Sequence, residues 1–463
     1  MLSLHSSIAL HGVVVGLAVL MYLSALRARR QRRQSAGAVA WLLSIIAVPY
    51  IGLPLFLLFG TRKLALAGRP PHATLAPVGV QVDGPAWLLP VLAAMGLPPP
   101  RAVAVRWHDD GPAALVALLG VIDGASQRLD LCTYLLADDA IGQTVAAALQ
   151  RAALRGVRVY MLVDAFGALR GAPHLMRALR RHGVRVYWFT PLLHNPLRSR
   201  VNLRNHRKFV IGDGRRLWAG GRNVAAEYFG AAAVWDDLSF DITGPLAHDV
   251  QQMFERDWNA SAPARHRFAP GGSVSATPAA VPEAAPGAVQ LVASGPDQYD
   301  DTLHEVLLAA AYHAQRRLVA VTPYCVLDDM LLSAWCLASR RGVQVTVVLP
   351  ARSNHYLADL ARGRTLRMLA QSGVEIYLAP AMLHAKAVLV DDSLALSGSA
   401  NMDGRSLFLN FEMMVAFYGA AEVAWLERWC SVRIGQARRY AAPQSSWRRD
   451  LTEGLWRVLA FEF

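Results

Sequence analysis

One constellation of residues occurs twice in this chain, and it limits the fold more than any other feature. The first copy runs from His206 through Lys208 and Asp213 to Gly220 and Asn223; the second runs from His384 through Lys386 and Asp391 to Gly398 and Asn401. The offsets from each His are the same: Lys at +2, Asp at +7, Gly at +14 and Asn at +17. Around the two copies the sequence repeats more loosely. Residues 157–164 (VRVYMLVD) are mirrored by 343–350 (VQVTVVLP), 183–188 by 373–378, and Thr133 and Tyr134 by Thr322 and Tyr324. A repeat of roughly 160 residues is a duplicated domain, not a solenoid unit.

Short β-branched and aromatic runs at 158–164 and 184–189 follow helical stretches, and each is entered through a glycine. This alternation predicts an α/β fold. Two α/β domains related by a pseudo-twofold are expected, over 102–261 and 288–445, each a mixed sheet flanked by helices, with the motif strands meeting at the interface. Between them, residues 262–287 are rich in Ala, Pro and Gly and read as a linker. Residues 66–101 read as a Pro- and Gly-rich connector. At the end, 446–463 set Trp447, Leu451, Leu455, Trp456, Leu459 and Phe463 among Arg448, Arg449 and Arg457. That amphipathic segment either lies on a membrane or packs as a terminal helix.

The first 65 residues have a different character. Residues 8–26 are apolar apart from His11, and a second uncharged run covers about 36–60, with Pro49 and Pro54 inside it. Each is long enough to span a bilayer as a helix. Arg27, Arg29, Arg30, Arg32 and Arg33 lie between the runs, and Arg62 and Lys63 follow the second. A transmembrane hairpin is expected, giving a multi-pass protein of the cell (inner) membrane. A cleaved signal peptide fits less well, because the basic residues follow the apolar run and a second run succeeds it. Two buried soluble helices fit poorly with runs so long and uncharged. The basic excess places the short loop inside and the remainder outside, by a margin small enough to leave the side open.

Composition narrows the partner. The formal charge is +13 and the pI is near 10, which calls for an anionic partner. Only 17% of residues are charged and mean hydropathy is +0.26. That favours anionic membrane lipid over nucleic acid. Of 47 basic residues only Lys63, Lys208 and Lys386 are Lys, leaving 47 − 3 = 44 Arg. Lys is a compact point charge and Arg a planar fork, so a Lys retained in an Arg-rich chain marks a site that needs an ammonium. Two of the three fall in the doubled motif. Cys132, Cys325, Cys336 and Cys430 have no metal-ligand spacing and read as buried apolar residues.

The apolar stretch around each motif Lys reads as a strand, on which residues two apart share a face. His and Lys then project together, the Asp falls where the strand ends, and the Gly-x-x-Asn segment offers N–H donors near a helix start. Two such sets can converge on one phosphate.

The two copies resemble the paired His-x-Lys-x4-Asp signature of the phospholipase D superfamily, and more finely the bacterial cardiolipin synthases. The finer match includes Asn205 to Lys208, Glu227 and Tyr228, Ser294 to Asp297, Leu383 to Lys386, Gly398 to Asp403, Arg405 and Ser406, and Asn410 to Glu412. The chain departs where the family has a Trp-Arg-Asp-Thr-His type of segment: here it reads Trp235, Asp236, Asp237, Leu238, Ser239. The resemblance implies a phosphatidyl transfer from one phosphatidylglycerol to another, with release of glycerol, through a covalent phosphohistidine. A related hydrolase, or a transferase with another acceptor, is the alternative. The resemblance further implies His206 as nucleophile and His384 as acid and base, although the sequence itself is nearly symmetric. It makes Lys208 and Lys386 the stabilising cations, with Asn223, Asn401 and Ser399 as added donors. Asp213 and Asp391 belong to the catalytic signature, although at a strand end they are better placed to hold the loop than to touch phosphate. Glu412 and Asp237 lie downstream where a carboxylate orients His384 and His206, taken in that order. No metal and no cofactor is expected, because two lysines bring the charge a metal would. The sequence is silent on oligomeric state.

Overall fold

The computed structural model describes residues 4–28, 35–60, 62–64, 84–169, 171, 173–190, 201–230, 235–269, 287–443 and 453. The first repeat contributes β1 (Arg101–His108), β2 (Arg128–Thr133), β3 (Arg158–Asp164), β4 (Arg185–Phe189), β5 (Phe209–Gly212), β6 (Arg216–Gly220) and β7 (Ser239–Thr243). The second contributes β8 (Gly287–Ser294), β9 (Arg317–Val321), β10 (Cys325–Val326), β11 (Gln344–Pro350), β12 (Glu375–Ala379), β13 (Ala387–Val390), β14 (Leu394–Gly398), β15 (Met402–Asp403), β16 (Glu412–Phe417) and β17 (Arg438–Arg439).

Each repeat builds the same half-sheet. Outward from the middle the orders are β1-β7-β6-β5-β2-β3-β4 and β8-β16-β14-β13-β9-β11-β12, the latter closed by β17. The halves meet where β1 runs antiparallel to β8, with Ala102 opposite Ala288. The pseudo-twofold is therefore present, and the two expected sheets are fused into one sheet of 15 strands. In each half three strands run parallel (β2, β3, β4 and β9, β11, β12) and the motif strand returns antiparallel beside them. Helices cover these strands on both faces, which is why β2 is buried along its length. The crossover helices Ala140–Leu154 and Asp329–Arg340 start where sequence dictates: the Asp139 and Asp328 carboxylates accept their first free N–H groups. All four cysteines are buried and unpaired.

Several sequence expectations change here. The connector contains a helix, Leu88–Ala94, whose Leu88 and Leu92 enter the core of the second repeat. Residues 262–269 are tied down rather than linking: the Trp258 indole donates to the His266 carbonyl at 2.8 Å, and the Phe268 ring packs at a tilt 5.0 Å from that of Tyr160. The rest of the proposed linker, 270–286, lies outside the described residues, as do 66–83 of the connector. So does the C-terminal segment, except Glu453, which pairs with Arg367.

The N-terminal part forms α1 (Leu4–Ala28), α2 (Ser35–Ala47) and α3 (Pro49–Phe59). The second apolar run is not one continuous helix. Pro49 lacks an N–H and opens a new helix after Val48, and the chain folds back so closely that a Cβ on Gly52 would lie 2.7 Å from the Ser44 carbonyl oxygen. Tyr22, Ile45 and Phe56 hold the three helices together. Among the described residues no helix is long and apolar enough to cross a membrane, so the structure does not support the expected transmembrane hairpin. Most of the basic loop, 29–34, lies outside the described residues. The end of α3 joins the two-repeat body: Asn202 donates to the Phe59 carbonyl at 3.3 Å, and the Lys63 ammonium meets Asp301 at 3.0 Å and the Asp300 carbonyl at 2.7 Å.

Candidate active site

The two His-x-Lys triplets lie just ahead of β5 and β13, in extended segments rather than in the strands themselves. Their backbone partners come from the opposite repeat. His206 N–H donates to the Phe411 carbonyl (2.9 Å) and Phe411 N–H to the Arg204 carbonyl (2.8 Å). Likewise His384 N–H donates to the Asp236 carbonyl (2.6 Å) and Asp236 N–H to the Met382 carbonyl (2.8 Å). Each motif is thus held by the segment leading into the other repeat's β7 or β16.

This crossing decides which carboxylate serves which histidine. His206 Nδ1 lies 3.0 and 3.1 Å from the Glu412 carboxylate oxygens, and His384 Nδ1 lies 2.7 Å from Asp237 Oδ2. The assignment drawn from chain order is reversed: each imidazole is oriented from the other repeat, because the carboxylates sit beside the bridging residues Phe411 and Asp236. Both carboxylates are fully buried. Burial alone would raise them, but His206 and Lys208 bring Glu412 below the ordinary range, and His384 and Lys386 bring Asp237 down to about 2. They are therefore anions that accept an N–H from Nδ1 and leave Nε2 as the imidazole's reactive atom. Burial, followed by the neighbouring lysines, lowers both histidines, His384 to about 3, against the upward pull of their carboxylates.

The lysines are buried too. Desolvation brings Lys208 down to about 7 and Lys386 to about 8, although Glu412 and Asp237 oppose the fall. Lys208 Nζ donates to the His206 carbonyl at 2.6 Å, and Lys386 Nζ donates to the His384 carbonyl. Lys386 Nζ also lies 2.7 Å from His384 Nδ1. That nitrogen's proton is committed to Asp237, so we read this contact as crowding of the ammonium against the ring. Each lysine acts electrostatically on the histidine of the other half as well as its own.

The remaining candidates divide. Ser399 donates to Glu412 at 2.5 Å, and Asn410 donates to it at 3.3 Å, so Ser399 supports the carboxylate. Its counterpart is Gly221, where a Cβ would lie 2.2 Å from Asp237 Oδ1. The Asn223 amide donates to the Tyr228 hydroxyl at 2.8 Å; the buried carbonyl oxygens of Asn223 and Asn401 have no hydrogen-bond partner among the described residues. Neither Asn stands on a helix start; each precedes a helix of only four or five residues. Asp213 and Asp391 are not with the cluster. Asp213 accepts the N–H groups of Ser126, Gln127 and Arg128 at 2.8–2.9 Å, and Asp391 those of Gln315, Arg316 and Arg317. With φ of 52° and 49° they close the turn after the motif strand and clasp the start of β2 or β9. Their grouping with the catalytic residues is corrected by that distance along the strand.

Aromatic rings line both histidines: Tyr134 stands 5.4 Å from His206, and Tyr228 and Trp235 stand 5.1 and 5.5 Å from His384. Tyr134 was detectable through its mirror image, Tyr324, but its position against His206 was not. Arg207 was also missed. It is fully buried, grips Asp257 through Nη1 at 2.7 Å, and reaches Asp297 of the second repeat at 3.3 Å. The only signal was that Ala385 stands in its place in the second motif. Among the described residues no group of three or more His, Cys, Asp or Glu is arranged to hold a metal ion.

The arrangement pairs two anion-oriented imidazoles with two ammonium groups in a buried site, which suits nucleophilic attack on a phosphodiester with proton transfer to the leaving oxygen. Comparison with known proteins identifies the family. Residues 118–258 and 307–432 match the family described as cardiolipin synthase, PLD-like domain, and residues 16–60 match the phospholipase D-nuclease N-terminal family. The chain is 32% identical over 426 residues to cardiolipin synthase A of Pseudomonas aeruginosa (strain LESB58), covering 87% of this chain and 85% of the relative. It is 31% identical over 460 residues to cardiolipin synthase A of Pseudomonas entomophila (strain L48), covering 94% of each. In fold it is similar to phosphatidylserine synthase of Haemophilus influenzae Rd KW20, with a TM-score of 0.60 and 15% identity over 80% of this chain and 98% of that one. With the matched domains lying on the two motif-bearing repeats, the chain belongs to the cardiolipin synthase family of phospholipase D-like proteins.

Proposed function

We propose that this protein transfers the phosphatidyl group of one phosphatidylglycerol to another, releasing glycerol and forming cardiolipin. The observation that carries this reading is the crossed pair of His–carboxylate contacts, each beside a buried lysine. In the first step His384 is held as the imidazolium by Asp237 and the bound phosphodiester anion, which offset the lowering by burial and Lys386, and it carries its second proton on Nε2. The lone pair of His206 Nε2 attacks phosphorus, the bond from phosphorus to the headgroup glycerol oxygen breaks, and His384 Nε2 gives that oxygen its proton. In the second, a headgroup hydroxyl of another phosphatidylglycerol attacks phosphorus, its proton passes to His384, and the phosphorus–nitrogen bond breaks to free His206. Lys208 and Lys386 stabilise the charge that builds on the phosphoryl oxygens, with Asn223 and Asn401 as further donors. The chemistry needs no metal. Ser399, Asp237 and Glu412 orient the imidazoles.

The assignment of nucleophile is tested by trapping. Labelled phosphatidylglycerol followed by denaturation in alkaline detergent, which preserves a phosphorus–nitrogen bond, should leave label on His384→Ala protein and none on His206→Ala. Label on His206→Ala alone would reverse the two roles.

Attachment to the cell membrane through the N-terminal helices is part of the same reading. Leu10, Val13, Leu17, Leu20 and Leu23 of α1 and Leu43, Ile46 and Ile51 beyond it are exposed, a surface that lipid would cover. Because α3 ends against Asn202, four residues before His206, the site would sit close to the lipid that supplies its substrate. Recovery of the protein in the supernatant after high-salt and carbonate extraction of membranes would refute this attachment.

A further inference from the structure

The two halves of the site are fixed by different devices. In the first, Arg207 of the His206 motif grips Asp257 on the helix Leu246–Ser261. In the second motif Ala385 stands at that position and offers nothing to grip. The matching helix of the second repeat, Ala420–Gln436, supplies an arginine instead. Arg433 Nε and Nη2 each lie 3.0 Å from a different oxygen of Asp236, a two-pronged pair that crosses from one repeat to the other. The guanidinium carbon lies over Trp429, 4.2 Å from its ring centroid, and a second carboxylate, Asp109, lies 3.9 Å away.

Asp236 is no ordinary surface partner. Its carbonyl accepts the N–H groups of His384 (2.6 Å) and Ala385 (3.3 Å), its N–H donates to Met382, and the next residue is the Asp237 that orients His384. The fork therefore anchors the short segment from which both members of the Asp237–His384 pair are aligned. A planar bidentate contact fixes direction as well as distance, which a single ammonium would not do.

We propose that Arg433 is a positioning residue for the His384 half of the site: through Asp236 it aligns Asp237 with His384, the task that Arg207 and Asp257 perform for His206. This rests on the reading of His384 as the group that protonates the leaving oxygen. Arg433 touches no reacting atom, so its loss should weaken proton delivery and leave substrate binding alone.

The test compares Arg433→Gln, Asp236→Asn and the double variant in full-length, detergent-solubilised protein. Release of glycerol from phosphatidylglycerol in mixed micelles is followed beside the burst of p-nitrophenolate from a phosphatidyl p-nitrophenyl ester, whose leaving oxygen needs no proton. Each single variant should lower kcat for glycerol release about 10-fold with KM unchanged, a fraction of what general acid catalysis supplies. The double variant should lose no more than either single one, because both remove the same contact. The p-nitrophenolate burst should change less than about twofold. The proposal is overturned if the single variants keep full kcat, if their losses multiply in the double variant, or if the burst falls as far as glycerol release. Glycerol release counts first-step chemistry whether water or lipid takes the phosphatidyl group. An enzyme that released glycerol without making cardiolipin would therefore sink the transferase reading and leave the Arg433 comparison standing.

Discussion

At the scale of the residue, the scarcity of lysine is the most informative fact in this chain. Two of its three lysines are buried in the candidate site, each with its ammonium turned onto the carbonyl of its own histidine. The third, Lys63, is the cation that ties the end of α3 to Asp300 and Asp301. A guanidinium keeps the charge, yet it is wider than an ammonium and cannot turn back into the same space without overpacking, at a cost of about 1–3 kcal/mol. Lys208→Arg and Lys386→Arg should each lower kcat by about 100-fold or more, as loss of a preorganised transition-state donor does. Steady-state turnover of the purified variants checks this, and near-normal turnover in both would contradict it. The same burial makes the free enzyme sensitive to alkali. Desolvation depresses Lys208 to about 7 and Lys386 to about 8, so the charged form is present below these values and is lost as pH rises through them. kcat/KM, which reports the free enzyme, should therefore fall above pH about 7. A profile that stays level up to pH about 9 would show that both ammoniums survive burial.

At the scale of the element, the site is a product of crossing. The segment before β7 and the start of β16 reach the opposite repeat and carry Asp237 and Glu412 to His384 and His206. Glu412→Gln removes the anion that fixes the His206 tautomer, and should cost about 100-fold or more in the rate of phosphoenzyme formation with little change in thermal unfolding. Asp213→Ala should do the converse. It frees the N–H groups at the start of β2, destabilising the fold by about 1–3 kcal/mol, while the folded fraction keeps its turnover. Unfolding curves beside quenched-flow rates separate the two; equal effects of both variants on both readouts would contradict the division of roles. Much of this was legible beforehand. The offset between the copies revealed the duplication, and the strand at Arg158–Asp164 coincides with a run visible in the sequence. What was not legible is anything that depends on which segment meets which. Spacing along a chain carries no information about crossing, so the two carboxylates were assigned to the wrong histidines. Asp257, in an otherwise amphipathic helix, gave no sign of its pairing with Arg207. The break at Val48 depended on how strongly Pro49 acts, and composition does not rank a kink against a full reversal.

At the scale of the whole molecule, duplication explains why one active site needs two repeats. Each half-sheet carries one histidine and one lysine, and each lacks the carboxylate that makes its own histidine useful. Joining the sheets through β1 and β8 holds the halves in register without a separate hinge. The buried ion pair of Arg207 with Asp257, which also reaches Asp297, adds a polar tie across the boundary. Beside this body, α1, α2 and α3 expose apolar residues and end within reach of the site. On the proposed membrane attachment, substrate supply and chemistry would be close together. The most direct measurement is lipid analysis of a bacterial host that makes no cardiolipin of its own, expressing this chain or its His206→Ala variant at matched levels. Cardiolipin should accumulate with the unaltered chain, in step with a fall in phosphatidylglycerol, and stay absent with the variant. A host that makes the folded, membrane-recovered protein and still lacks cardiolipin, or one in which His206→Ala makes as much, would contradict the account.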